Sequence, residues 1–561
     1  MSVMLDKVRN NPTLFAKASE ICERLSSITI VNHNPESNII QPKKNEKFRY
    51  SGNGGIPLFF DKHTGKIYMD QSDRHSIIIG PTASKKSRLV AIPSVRLMGK
   101  AGESMIISDP KAEIYQRTAA YLKNQGYQVY VLNLRHPNEG SGWNPLMLPY
   151  MFYKQGDIDR AYEFANDIAI NLTNIDKSQK EAFWDNSAGS LLFGLIISLF
   201  KFCKDNGVSD EYVNISNVLV LRNTLCSGSS MAIRGNALWR YLRADSFIES
   251  ALIGTLETAE ETRAGILSVF DQKMRAFSIQ PTLLDMLAAN DINYQEFINV
   301  PTAIFLILPD EKTAFHGLVS LFIKQSYEYL IFQIQEMIEN NETNGLRINY
   351  ILDEFSSLPT ITDFPAMITA ARSRNIRFNL FLQSKHQLKL RYGEETDTIM
   401  SNCENWIFLT SRELDFLKEI SDLCGGIRGR EHIPVLSVSD LQRLDKETGE
   451  ALVLSARFRP FISNLADISL YDNDDYLIDR LSIENRKKAV SISEKLQQSI
   501  SWWKKKQFEK VSDAKSDIEK GSIFLKQSEQ SIDNGDIFES LKSIIEASGT
   551  INESVTDDTS E

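Results

Sequence analysis

Apolar positions along the chain fall into three regimes. Between residues 56 and 134 they come as short β-rich runs. IPLFFDKHTGKIYMD (56–70) reads as a hairpin, two such runs around a Thr-Gly turn. HSIIIG (75–80), ESMIISDP (103–110) and YQVYVLNL (127–134) are continuous apolar strands, as in parallel sheets covered on both faces. EIYQRTAAYLKNQG (113–126) lies between two of them and reads as a helix that ends on Gly126 as its C-cap. Strand, helix, strand in this rhythm predicts a doubly wound α/β sheet.

From about 155 to 300 the β signal fades. DIDRAYEFANDIAINL and KEAFWDNSAGSLLFGLIISLFKF carry a helical period, which predicts an all-helical insertion. The sheet resumes at TAIFLILP (302–309), INYILDE (348–354), RFNLFLQS (377–384), NWIFLTS (405–411) and ALVLSARF (451–458). The core is therefore split in sequence and joined in space. The expected organisation is a polar helical lead-in (1–45), a first nucleotide-binding segment (46–155), an all-α domain (156–300), a second nucleotide-binding segment (301–470) and a charged helical tail (471–561). The final stretch, SGTINESVTDDTSE, has the composition of a disordered end.

With 561 residues the chain has room for two or three domains. Its net charge of -10 excludes a wholly basic DNA binder but leaves room for a local basic channel. Five cysteines without a C-x-x-C pair read as reduced intracellular thiols. The start, MSVMLDKVRNNPTLF, lacks the pattern of a signal peptide. NSAGSLLFGLIISLF is too short to span a bilayer and fits a buried helix. The expected location is cytoplasmic, with no membrane span.

Candidate chemistry starts at IIIGPTASKKS (77–87). A phosphate-binding loop is G-x-x-x-x-G-K-[ST], entered from a buried strand and left by a helix. Its backbone N–H groups wrap a phosphate, its lysine adds a charge, and its hydroxyl ligates Mg²⁺. Gly80 opens the loop, Thr82, Ser84 and Lys85 lie within it, and Lys86 and Ser87 close it at the right spacing. The second required part is an apolar strand ending in acids, and INYILDEF supplies it. Asp353 would serve Mg²⁺ through water and Glu354 would polarise the attacking water. A helix N-cap region would also put acids at a strand end, but the loop upstream favours the nucleotide reading. Gln383, at the tip of FLQS, is placed to sense a γ-phosphate.

The loop departs from the pattern. Lys85 stands where the second glycine belongs, and Ala83 where many such loops carry another. If φ is positive there, a side chain costs on the order of 1 kcal/mol. Lys85 either adds charge near the phosphates or fills the space that a phosphate needs.

With these parts in order, the chain resembles the type IV coupling proteins of conjugation, the TraG/TraD family of the FtsK–HerA P-loop branch. The resemblance covers roughly residues 50–470. It rests on GPTASKKSRLVAIPSV, on SMIISDPKAEIYQRTAAYLKNQGYQVYVLNL against the family's DPKGE block, and on WNPL and AFWDNSAGSLL. INYILDEFSSLP, AARSRNIRFNLFLQSKHQLKLRYGEE, SNCENWIFLTSRE and GEALVL continue the order. It implies a RecA-like P-loop NTPase core with an inserted all-α domain, using ATP and Mg²⁺. It implies hexameric rings that move DNA, single-stranded and with its attached relaxase, towards a type IV secretion channel. Lys86 and Ser87 would then bind phosphate and Mg²⁺, Asp353 and Glu354 would serve metal and water, and Gln383 would sense. Arg372, in AARSRN, matches an arginine finger reaching a neighbouring subunit; a helix-surface arginine reads equally well. Ala112 replaces the glycine of DPKGE, so three positions near the expected nucleotide gain a Cβ. The family's N-terminal membrane helices are not matched, so any place at the inner face of the membrane would be peripheral. The competing reading is a scaffold or sensor on the same fold that binds nucleotide or DNA without hydrolysis.

Two further stretches carry competing readings. Trp502-Trp503-Lys504-Lys505-Lys506 suits stacking on nucleic acid or a membrane surface, but a tail helix docking its tryptophans is favoured. KHQLKLRYG (385–393) is basic and loop-like, a candidate for lining a ring pore.

Overall fold

The computed structural model describes residues 15–33, 40–42, 53–173, 182–294, 296–309, 315–341, 345–427, 433–455, 458–471 and 486–505. The expected disordered end and most of the charged tail lie outside the described residues, as does the start of the lead-in.

Among the described residues nine strands form the central sheet: β1 (His75–Ile79), β2 (Ser104–Ser108), β3 (Gln128–Asn133), β4 (Thr302–Ile307), β5 (Ile348–Leu352), β6 (Ile376–Leu382), β7 (Cys403–Phe408), β8 (Glu450–Ser455) and β9 (Phe461–Asn464). Their order is β9-β8-β7-β1-β6-β5-β2-β4-β3, and all run in one direction except β8, which is antiparallel to both β7 and β9. Every apolar run read as a core strand is one. The strand β9 is not predicted by the sequence, because FISN is too short to show a period.

Alternation decides which helices each strand residue meets. Ile77, Ile79, Ile106, Leu352 and Leu380 join one apolar cluster with Leu191, Phe200 and other residues of the helical insertion. Ile78, Met105, Ile107, Ile351 and Phe381 face the opposite way, onto Val95, Ile114 and Leu122 of the two helices that follow β1 and β2. Between β3 and β4 the described elements are helices, among them Ile158–Thr173, Ala182–Asp205 and Glu260–Ser278. Among the described residues one helix, Phe183–Asp205, is long and apolar enough to cross a membrane, and 67% of its apolar window is buried.

Two local expectations are corrected. Among its described residues the lead-in is helical over Ala18–Arg24, but Ser26–Thr29 is a strand that pairs with Lys66–Asp70 of the hairpin. Its β-branched run SSITIV favours that pairing over a helix. The stretch read as a basic loop is a helix, Lys385–Tyr392, capped by Ser384, which accepts from the Gln387 N–H. Leu388 and Tyr392, one turn apart, are its buried anchors, and Lys385 is paired with Glu419 at 2.7 Å. The tail helix docks through Trp503, which stacks on Tyr241 with ring centroids 4.5 Å apart. Trp502 stays 55% exposed.

At the other end of the strands His75 is sealed in. The Phe378 N–H donates to Nδ1 at 3.0 Å, so Nε2 carries the hydrogen and donates to the Ile368 carbonyl at 2.7 Å. Burial pushes the imidazole down to about 4, with Arg372 and Arg377 adding to the effect. A free histidine titrates near 6.5, so below that pH the unfolded chain binds a proton that the folded one refuses. Stability is therefore lost as pH falls from about 6.5 to about 4, by up to about 3 kcal/mol. His75→Gln is expected to flatten that slope; urea-unfolding midpoints of the two proteins across this window are the check. Parallel slopes would put the acid sensitivity elsewhere.

Candidate nucleotide site

The loop leaves β1 at its C-terminal tip. Gly80 is the glycine that could not be replaced: a Cβ there would lie 2.5 Å from Ser84 Oγ and 3.3 Å from Leu409. Ala83 and Lys85 do adopt left-handed backbone, φ +63° and +66°. Their side chains leave the loop, so they carry backbone strain without crowding. Ala83 is exposed, and the Lys85 ammonium meets Glu447 at 2.5 Å. Of the two alternatives for Lys85, filling the cradle is not what its side chain does here.

Lys86 turns inward and is 7% exposed. Its ammonium donates to the carbonyls of Gly80 and, at 3.3 Å, Pro81. Burial lowers its pKa, while Asp353 and Glu354 pull the other way. Ser84 Oγ is buried and has no partner. A curled loop with a buried ammonium and an unpartnered hydroxyl is what a phosphate would satisfy.

The helix after the loop opens as a π-turn, Ser87–Ala91, before the α-helix Ile92–Ala101. Pro93 is the cause: it cannot donate backward, and its ring would strike the carbonyl four residues earlier. The wider turn lets the Ile92 N–H reach the Ser87 carbonyl.

Sheet order supplies the partners. β6 lies between β1 and β5, and β2 lies on the far side of β5. Asp353 follows β5 and Gln383 follows β6, so both emerge at the tips beside the loop. Gln383 Nε2 donates to Glu354 Oε1 at 3.0 Å. Glu354 takes φ +52°, a left-handed kink at the strand end that the sequence did not reveal. Such strain in a non-glycine residue is typical of functional turns.

The turn after β2 brings two residues to which sequence reasoning assigns no role. Asp109 stands beside Asp353, because Ser108 and Leu352 are register partners and Ser108 Oγ donates to the Asp353 carbonyl at 2.8 Å. Lys111 Nζ lies 3.8 Å from Glu354 Oε1. Ala112, φ +56°, closes this turn in the backbone form that a glycine would favour. Burial pushes Asp109 up to about 7, and Asp353 adds to that shift. Burial likewise pushes Asp353 up to about 6, with Lys86 opposing and Glu354 reinforcing. Two neighbouring carboxylates resisting ionisation make a site that a divalent cation suits.

Arg372 is not brought to these residues. It precedes β6, at the opposite end of the sheet, where it is bonded to Glu404 at 2.5 Å and Asp73 at 3.3 Å.

The sequence model of the type IV secretory system conjugative DNA transfer family matches residues 36–431. The chain belongs to this family. A search of curated proteins finds no match. Among solved structures, the chain is similar to the plasmid coupling protein TrwB in complex with the non-hydrolysable ATP analogue ADPNP. The TM-score is 0.51 at 16% identity, over 75% of this chain and 88% of that one. TrwB in complex with ADP and Mg²⁺ gives 0.50 at 16% identity, over 75% and 88%. TrwBdeltaN70, unbound, gives 0.52 at 16% identity, over 73% and 88%. At such identity the likeness establishes the fold, a P-loop NTPase sheet with many added helices. Membership of the family places this chain in conjugative DNA transfer, with DNA and the type IV secretory system as its partners.

Proposed function

We propose that the chain is an ATP-hydrolysing coupling protein that moves DNA, single-stranded and with its relaxase, towards a type IV secretion channel. The observation that carries this reading is the Glu354–Gln383 hydrogen bond beside Asp353, at the strand tips that also hold the Lys86 loop. A site kept only for shape has no reason to hold a glutamate in a strained kink against a glutamine.

Thr82 and Lys85 would offer backbone N–H groups, and Ser84 its unpartnered hydroxyl, to phosphate oxygens, with Lys86 adding its ammonium; the Gly80 N–H is donated to the Leu382 carbonyl at 3.1 Å, so Gly80 serves by allowing the curl. Ser87 and Asp353 would hold Mg²⁺, with Asp109 adding negative charge behind Asp353. Bound ATP and Mg²⁺ supply the phosphoanhydride and the charge that polarises it. Glu354 takes a proton from water, and Gln383 fixes its orientation. Arg372, remote within the chain, suits a finger offered to the next subunit of a homo-oligomeric ring, a hexamer by family resemblance. The helical elements from Ile158 onward, between β3 and β4, would form the all-α domain of this scheme, spanning 156–300. The chain would work in the cytoplasm, peripherally at the inner face of the cell membrane.

Phosphate release with and without single-stranded DNA tests this. Wild type should be stimulated by DNA, and Lys86→Ala should lose nucleotide binding and turnover alike, by about 10²-fold or more. No turnover in the wild type would favour the non-hydrolysing scaffold.

A further inference from the structure

The Lys85 partner, Glu447, stands on the turn Asp445–Gly449 that leads into β8. Because β8 runs antiparallel to β7, its start lies at the strand tips, beside the loop. Lys85 Nζ meets Glu447 Oε2 at 2.5 Å. A second tie runs alongside: Arg88, one residue past the loop, meets both carboxylate oxygens of Asp467, at 2.9 and 2.5 Å. The turn is shaped from within. The Glu447 N–H donates to Asp445 Oδ1 at 2.9 Å, and the Asp445 N–H donates to Glu450 Oε2 at 3.0 Å. Gly449 takes φ +74°, where a Cβ would lie 2.3 Å from the Leu465 carbonyl oxygen. A preformed turn therefore presents the acid that Lys85 meets.

We propose that the Lys85 side chain is a positioning group: paired with Glu447, it holds the glycine-poor loop in its left-handed, phosphate-ready shape, and its ammonium does not itself take phosphate. This rests on the nucleotide reading above. The physical reason is the backbone. A glycine enters positive φ freely, whereas Ala83 and Lys85 resist it, so the loop needs a hold from outside. The two ion pairs give that hold from one edge of the sheet, on the side away from the inward-facing Lys86.

The test compares loop amide hydrogen exchange without nucleotide and affinity for a non-hydrolysable ATP analogue. Glu447→Gln should speed exchange over residues 80–87 and weaken binding about 2- to 5-fold, as for a surface ion pair, and both effects should fade at high salt. Lys85→Gly, which relieves the strain, should bind at least as well as wild type and should not respond to Glu447→Gln. Exchanging the charges, Lys85→Glu with Glu447→Lys, should recover most of what Glu447→Gln loses. A phosphate-ligand role reverses the signs: Lys85→Gly would weaken binding, and Glu447→Gln would strengthen it by freeing the ammonium. That result, or loop exchange indifferent to Glu447→Gln, overturns the proposal. Exchange is read without nucleotide, so it decides the brace even if no variant binds ATP, an outcome that would sink the nucleotide reading instead.

Discussion

Glu354→Gln is expected to slow ATP turnover by about 10²–10⁴-fold, the range for removal of a general base, while nucleotide affinity stays near wild type. The substitution keeps size and shape. The Gln383 amide can still donate to the carbonyl oxygen of the new side chain, as it does to Glu354 Oε1 at 3.0 Å. The substitution does remove the 3.8 Å ion pair with Lys111, whose side chain is 52% exposed. A pair that open to solvent contributes little to stability. Lys86 and the loop are untouched, so binding and hydrolysis should separate cleanly. Single-turnover phosphate release beside equilibrium binding of an ATP analogue makes the comparison. If the variant hydrolysed within about tenfold of wild type, well short of the loss expected for a base, Glu354 would not be one, and the kinked strand end would need another explanation.

The second large effect lies at the opposite end of the sheet. Arg377→Met is expected to destabilise the fold by about 3 kcal/mol, the low end for breaking a buried ion pair, because Glu103 loses its nearer cation and keeps only Arg347, 3.6 Å from its other oxygen. Arg377 is 2% exposed and meets Glu103 at 3.0 Å. Its Nε donates to Asn349 Oδ1 at 2.8 Å, and its other nitrogens donate to the carbonyls of Ser72 and Gly54. Glu103 in turn accepts from the Gly54 N–H and from Asn349 Nδ2, both at 2.8 Å. The network stitches β6, β5 and the start of β2 to the segment before the hairpin. Methionine fills much of the arginine's volume but cannot neutralise Glu103. Adding Glu103→Gln should recover part of the loss, since a neutral amide is cheaper to bury than an unpaired carboxylate. Urea-unfolding midpoints of the single and double variants decide it. A single variant as stable as wild type would mean that Arg347 alone satisfies Glu103 and that Arg377 holds nothing together.

Much of this architecture was legible in the chain itself. A parallel strand covered on both faces must be apolar at nearly every position, so β1, β2, β4, β5 and β6 announce themselves as runs such as SIII and TAIFLI. The candidate loop and acid pair were legible because the nucleotide chemistry proposed for them needs particular residue types at the ends of such strands. The departures at Ala83, Lys85 and Ala112 were also visible, and all three positions do take the left-handed backbone that glycine would have eased. β9 and the edge strand Ser26–Thr29 were not legible, because short edge strands owe their state to the neighbour they pair with. The basic stretch 385–393 misled for a related reason: its charges hide the two anchors that make it a helix.

What the sequence determined by itself was the type of core and the identity of its loop, acids and strand-tip glutamine, since these depend on local pattern. What only the tertiary structure decided was who meets whom. Asp109 and Lys111 enter the site because β2 lies next to β5, a neighbour relation between positions about 245 residues apart. Lys85 leaves the cradle because an antiparallel strand brings Glu447, 362 residues away, to the same edge. Arg372 is kept from the site because its turn precedes β6, whereas Gln383 follows it. Periodicity and propensity act over a few residues, whereas pairing between distant strands is set by how the whole sheet buries its two faces.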